Sequence, residues 1–216
     1  MDGVLFDSMP GHAVAWVKAM RQYGLEMQPE EVYQNEGRTG ASTINILTQR
    51  TWHRAATDEE VQQIYAAKCV YFNEYLAQHG DAPAMPGAAE VLAEVRRRNL
   101  RPVLVTGSAQ ESLLGRLNQA YPGTFTPKYM VTANDVRYGK PNPEPYLMGL
   151  QKAGVQADEA IVVENAPLGV QAAHAAGIYT IAVNTGPLSA DALIEAGANV
   201  VFSSMHGLAR LLNALQ

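Results

Sequence analysis

Over roughly the first third of the chain, apolar residues recur at helical spacing; beyond it they gather into short unbroken runs. Val14, Trp16, Val17 and Met20 fall at mixed three- and four-residue intervals, which predicts a helix over 11–24 closed by Gly24. Pro29 opens a short helix over 29–35. A polar, glycine-bracketed stretch, Glu36-Gly37-Arg38-Thr39-Gly40-Ala41-Ser42-Thr43, then leads into a helix over 43–52. Thr57 with Glu60 three residues on has the form of a capping box, and that helix runs on through Ile64, Tyr65, Lys68, Phe72 and Leu76. Residues 11–79 therefore predict helices and no strand.

At Asp81 the pattern switches. Ala82-Pro83-Ala84-Met85-Pro86-Gly87 reads as a linker. After it, predicted helices (87–99, 110–120, 143–154, 168–176, 189–196 and a last one) alternate with predicted strands (102–106, 129–132, 161–163, 179–183 and 200–202). Such alternation implies an α/β fold, a mostly parallel sheet covered by helices on both faces. Ligands in these sheets bind at the carboxyl ends of strands, so the residues just after each apolar run are where chemistry is sought.

Composition narrows the function classes. The 216 residues carry a net charge of −5, with 47% hydrophobic and 17% charged residues, as a folded domain does. The acidic balance argues against nucleic acid or an anionic membrane as partner. The single cysteine, Cys69, excludes an internal disulfide framework and suits a reducing cytosol. Its place in the middle of a predicted helix argues against a nucleophile. No apolar run approaches the roughly 20 residues that span a bilayer. The expectation is a soluble, cytoplasmic monomer.

Three predicted strand ends carry reactive groups. Val103-Leu104-Val105 runs into Thr106-Gly107-Ser108, a turn that can offer a hydroxyl and backbone N–H groups to a phosphate oxygen. The same tripeptide is also ordinary turn chemistry. Tyr138-Gly139-Lys140-Pro141-Asn142-Pro143-Glu144-Pro145-Tyr146 mounts an ammonium on a proline-stiffened turn; alone, it also reads as a surface lysine. Ile161-Val162-Val163 ends in Glu164-Asn165, two hard-oxygen groups suited to Mg²⁺, with a helix cap as the plainer alternative for Glu164.

Taken in order, Asp2-Gly3 followed by Phe6-Asp7-Ser8, then Thr106, Lys140 and Glu164 before Gly169 and an Ala-rich helix resemble the four motifs of the haloacid dehalogenase (HAD) superfamily. The resemblance covers the whole chain. It implies a Rossmann-like core (residues 1–9 and 82–216) and an inserted α-helical C1 cap (residues 10–81). It points to the beta-phosphoglucomutase-like subgroup, and the segments 36–42 and 138–146 look most like its branch that includes inorganic pyrophosphatases. Carried over, Asp2 becomes the general acid/base whose carbonyl ligates Mg²⁺. Thr106, helped by Gly107 and Ser108, holds phosphoryl oxygens, and Lys140 offsets charge. Glu164 and Asn165 complete the metal site.

In that family an apolar strand runs into Asp-x-Asp-Gly; Asp2 matches the second Asp, and the first, the nucleophile, would stand one residue before Met1. The resemblance therefore implies an N-terminally truncated chain without the first strand, whose phosphoenzyme chemistry is expected to fall by orders of magnitude. A misassigned start or gene fragment explains this most simply. Many relatives carry Asp where Asn165 stands. Glu36 could add a carboxylate from the cap, suiting a metal-bridged substrate such as pyrophosphate, or could instead pair with Arg38. His12 and Lys68 face the site in mutase-like relatives and are here as readily solvated. The arginine with which mutases grip a second phosphate has no counterpart, Gly40 standing near its place. These departures favour a Mg²⁺-dependent phosphohydrolase acting on pyrophosphate or a small phosphate ester. The alternatives are a beta-phosphoglucomutase and a non-catalytic phosphate- or metal-binding remnant.

Overall fold

The structure, a computed structural model, describes residues 1–108 and 111–215. The predicted helix at 110–120 thus begins on a residue outside those described. Four helices come first: α1 (Met9–Gln22), α2 (Pro29–Gln34), α3 (Gly40–Trp52) and α4 (Asp58–His79). The α4 start is the predicted capping box, with the Thr57 hydroxyl accepting from the Glu60 N–H and the Glu60 carboxylate from the Thr57 N–H. The apolar stripes of these helices converge on a core of their own, in which Met20, Ile44, Leu47 and Ile64 are fully buried.

The remainder alternates as expected: α5 (Ala88–Arg97), β1 (Leu104–Val105), α6 (Glu111–Ala120), β2 (Met130–Val131), α7 (Glu144–Ala153), β3 (Ile161–Glu164), α8 (Pro167–Ala175), β4 (Tyr179–Val183), α9 (Ala190–Glu195), β5 (Val200–Phe202) and α10 (Met205–Ala214). Every strand pair is parallel, with Val163 opposite Ile181 and Ala182 opposite Val201. Period-two alternation sends β4 side chains to opposite faces. Ile181 and Val183 pack with Val91 and Leu208, while Ala182 packs with Val170 and Leu193. Helices thus cover both faces of the sheet, as the pattern required.

One difference from expectation concerns the sheet itself. Among the described residues it forms two ladders, β1–β2 and β3–β4–β5. β1 is also shorter than the apolar run that predicted it, although the Thr106 N–H still reaches the Val131 carbonyl at 2.9 Å. Residues 1–6 fold as a tight turn in which the N–H groups of Leu5 and Phe6 both donate to the Met1 carbonyl. The turn's side chains, Val4, Leu5 and Phe6, pack with Leu104 of one ladder and Ile181 and Val183 of the other, so side-chain packing joins the two.

The helical cap region meets this core through two connections that bond to each other. The Asp7 N–H donates to the Pro83 carbonyl (2.9 Å), and Met85 N–H to the Leu5 carbonyl (2.8 Å).

Candidate active site

The carboxyl ends of β1 and β3, the first turn of the chain and the loop before α3 surround one cavity of about 90 Å³ between cap and core. Its floor holds Asp2, Thr106, Lys140, Glu164 and Asn165; from the cap come Glu36, Arg38, His12 and Lys68. Every residue that the sequence nominated lines this single space, Gly107 and Ser108 included.

Asp2 is held from the start of α1. The Ser8 hydroxyl donates to its Oδ1 (2.6 Å), and His12 Nε2 lies 3.3 Å from the same oxygen. Burial alone would raise the Asp2 pKa, but the His12 hydrogen bond and charge, the α-amino group and Ser8 hold it well below the usual carboxylate range. His12 is buried with its ring stacked on Phe72, centroids 4.2 Å apart; burial, then the nearby Lys68 charge, lowers its pKa. Lys68 is buried too, its ammonium 5.2 Å from the Phe72 ring centroid and 5.5 Å from that of Trp16. Burial brings its pKa down to about 8.

Glu164 is the most fully satisfied group in the site. Its Oε1 accepts from the Lys140 ammonium and the Tyr146 hydroxyl (2.7 Å), its Oε2 from the N–H groups of Asn165 (2.9 Å) and Ala166 (3.3 Å). Gly169, one turn into α8, leaves the space that this carboxylate fills. Burial would raise its pKa, but Lys140 above all brings it down to about 2. The plainer alternative, a helix cap, does not hold: the two N–H groups that Glu164 accepts from precede α8, and its other oxygen fixes Lys140. The Lys140–Pro141 peptide is cis.

Glu36 and Arg38 do not pair; they diverge. Asn165 Nδ2 donates to both Glu36 oxygens at 3.0 Å, across the cap–core seam, while Arg38 Nε donates to Asn35 Oδ1 at 3.0 Å. Burial first, then the negative charges of Glu164 and Asp2, raises the Glu36 pKa to about 8 despite the Asn165 hydrogen bond. The seam closes because small residues let backbones meet. A Cβ on Gly107 would stand 2.5 Å from the Gly37 carbonyl oxygen, and one on Gly139 would stand 2.7 Å from Thr39 Cγ2.

Sequence reasoning gave no role to Ser8 or Tyr146, although both stood inside quoted motifs. The available signal was a hydroxyl six residues after Asp2 and a phenol six after Lys140. It also missed the apolar wall of Met9, Trp16, Met27, Val32 and Tyr65, which periodicity could place only on a helix's inner face.

The family of haloacid dehalogenase-like hydrolases matches over residues 1–183, and the chain belongs to it. It is 34% identical to hexitol phosphatase A of Escherichia coli, over 85% of this chain and 80% of that one. It is 29% identical to a phosphorylated carbohydrates phosphatase of Thermotoga maritima, over 92% and 89%. Among solved structures, a Bacteroides vulgatus protein provisionally named a beta-phosphoglucomutase superposes with a TM-score of 0.94 at 54% identity, covering 100% of this chain and 86% of that one.

Proposed function

We propose that this chain is the body of a Mg²⁺-dependent phosphohydrolase acting on pyrophosphate or a small phosphate ester through an aspartyl-phosphate. In this reading residues 1–9 and 82–216 are the core and 10–81 the cap, and the attacking carboxylate is the first Asp of the family motif, which is not among these 216 residues. The observation that carries it is the convergence of Asp2, Thr106, Lys140, Glu164, Asn165 and Glu36 on one cavity at strand ends beneath a helical cap.

Each residue then has a task. Thr106 and the turn after it receive the phosphoryl oxygens. Lys140, immobilised on Glu164, sets a fixed positive charge against them. Asp2, oriented by Ser8 and His12, handles the proton of the attacking water. The ionised state favoured at Asp2 suits a leaving group that needs little protonation, as a phosphate does.

Among the described residues no three His, Cys, Asp or Glu side chains are placed to enclose a metal ion. Mg²⁺ asks for less: one or two carboxylates, with water and substrate oxygens completing the octahedron. Glu36 and the Asn165 amide oxygen fit that demand, together with the Asp2 carbonyl, and a cation there offsets the crowding of Asp2, Glu36 and Glu164. Glu164 has four protein donors already and would have to release one to bind metal directly. When bound, the ion supplies Lewis-acid stabilisation of phosphoryl charge.

Two further observations bear on the substrate. A cavity of about 90 Å³ has room for about three waters at roughly 30 Å³ each, which favours a small anion. Gly40, near where a mutase arginine would stand, is pressed against the Tyr65 ring, so no side chain fits there. The relatives' names favour a sugar phosphate instead. The test is the chain extended upstream by an apolar strand ending in Asp, given Mg²⁺ and, separately, pyrophosphate, a hexitol phosphate and glucose 1-phosphate. Phosphate release from pyrophosphate is expected. Release from the hexitol phosphate alone would move the substrate, isomerisation of glucose 1-phosphate would make it a mutase, and no turnover at all would end the reading.

A further inference from the structure

Outside the catalytic cavity, the seam between cap and core opens into a groove of about 570 Å³ that nothing above uses. Arg38, Thr39 and Ser42 line it from the cap; Arg137, Lys140 and Asn142 line it from the core. No carboxylate contributes to the lining. The nearest acidic side chain by sequence, Glu144, is spent on the N–H groups of Arg137 (2.8 Å) and Tyr138 (2.9 Å). Among the described residues neither Arg38 nor Arg137 pairs with a carboxylate, and they are the two arginines that line this groove. Arg38 is steadied by Asn35 and, at 3.5 Å, the Ser42 hydroxyl; the Arg137 guanidinium lies 5.1 Å from the centroid of its neighbour Tyr138.

Two guanidinium groups without a carboxylate partner give one groove a positive lining that an anion would complement. Guanidinium donors match the oxygens of a phosphate-type group in pairs. The groove has one wall from the cap and one from the core, which meet where Thr39 lies against Gly139, so separating the two would divide it. We infer that this seam groove is a second oxyanion site, for a phosphoryl group or free phosphate, and that its occupant holds the cap shut. A ligand that touches Arg38 and Arg137 together binds the closed state better than the open one, so it must shift the population toward closure. The oxyanion has two sources: a separate phosphate ion, or the far end of a polyanion whose near end lies in the catalytic cavity, which Arg38 and Lys140 also line. The inference goes beyond the hydrolase reading and does not need it.

The test titrates the full chain with inorganic phosphate, and separately with linear tripolyphosphate, by calorimetry, and follows protease cleavage of the 80–86 connection as the measure of opening. Arg137 is exposed and contacts no catalytic group, so Arg137→Gln leaves the fold and the inner cavity intact. In the native chain the anion is expected to slow cleavage. Arg137→Gln should weaken binding about tenfold, the loss of one charge-assisted contact, and abolish the protection, with Arg137→Lys in between. Discrimination with both anions assigns the site to free phosphate, and discrimination with tripolyphosphate alone assigns it to the far end of a bound polyanion; either supports the site. Equal affinity and equal protection in the native chain and Arg137→Gln, within twofold for both anions, overturns it.

Discussion

Gly107→Ala adds one methyl group at the tightest point of the seam. Gly107 follows Thr106 in the turn after β1, and its missing Cβ would face two cap backbone atoms, the carbonyl oxygens of Gly37 at 2.5 Å and Arg38 at 3.0 Å. Neither can rotate away as a side-chain tip could. Restoring an ordinary contact of about 3.5 Å needs a retreat of roughly 1 Å by the loop that carries Glu36. A retreat of that size takes the two Asn165–Glu36 hydrogen bonds, both 3.0 Å, out of range. Overpacking of this kind costs about 1–3 kcal/mol, which shifts the open–closed equilibrium by roughly 5- to 150-fold toward open.

The cost falls on closure, not on folding, because the cap cluster around Ile44 and the core cluster around Phe6 and Val183 are built separately. Thermal melting of Gly107→Ala is therefore expected within about 2 °C of the native chain. Fluorescence of Trp16, which lines the cavity, should shift toward that of an exposed indole, and protease cleavage of the 80–86 connection should accelerate. In the upstream-extended enzyme, kcat/KM should fall at least fivefold. Gly115→Ala is the control: Gly115 lies within α6 and, among the described residues, nothing stands near its missing Cβ, so this change should stabilise by about 0.5–1 kcal/mol and leave closure alone. If Gly107→Ala matched the native chain in fluorescence, cleavage and turnover, the seam would not be closed at these distances in solution and the clash argument would fail.

Lys140→Met leaves the Glu164 carboxylate buried without its cation. It should cost about 3–5 kcal/mol in urea unfolding, most of it recovered in the double variant with Glu164→Gln. Tyr146→Phe removes a 2.7 Å hydrogen bond to the same carboxylate and should cost about 1.5–3 kcal/mol in that assay; no change would mean that Glu164 is held by Lys140 and the backbone alone. Glu36, with a folded pKa near 8 against an ordinary 4.5, keeps a proton that the unfolded chain has released between those values. Its contribution to stability therefore declines as pH rises from about 4.5 to 8 and is flat above. Melting of the native chain minus that of Glu36→Gln, from pH 5 to 9, should show that slope; a flat difference would place Glu36 in water.

What could be read in advance depended on whether the physics was local. A capping box at Thr57 and Glu60, a proline at the α2 start and a short apolar run at β4 act within a few residues, so the elements followed from them. Glu164 was legible because a carboxylate at the tip of a buried parallel strand has few other reasons to stand there, whereas Thr106 and Lys140, the latter on the loop between β2 and α7, stood out only through the order of the motifs. Which groups meet was not local. Glu36 pairs with Asn165 across 129 positions and not with Arg38 two away, because closure buries its carboxylate against the floor, where an amide is the donor within reach. Glycine carries the same lesson in reverse: in the sequence Gly107 and Gly139 are turn residues, whereas in the folded chain their absent side chains let the loops of the core approach the cap backbone at Gly37, Arg38 and Thr39. The chemistry assigned to the floor and the closure assigned to the seam are thus separable claims. Lys140→Met probes the first and Gly107→Ala the second, and either can fail without the other.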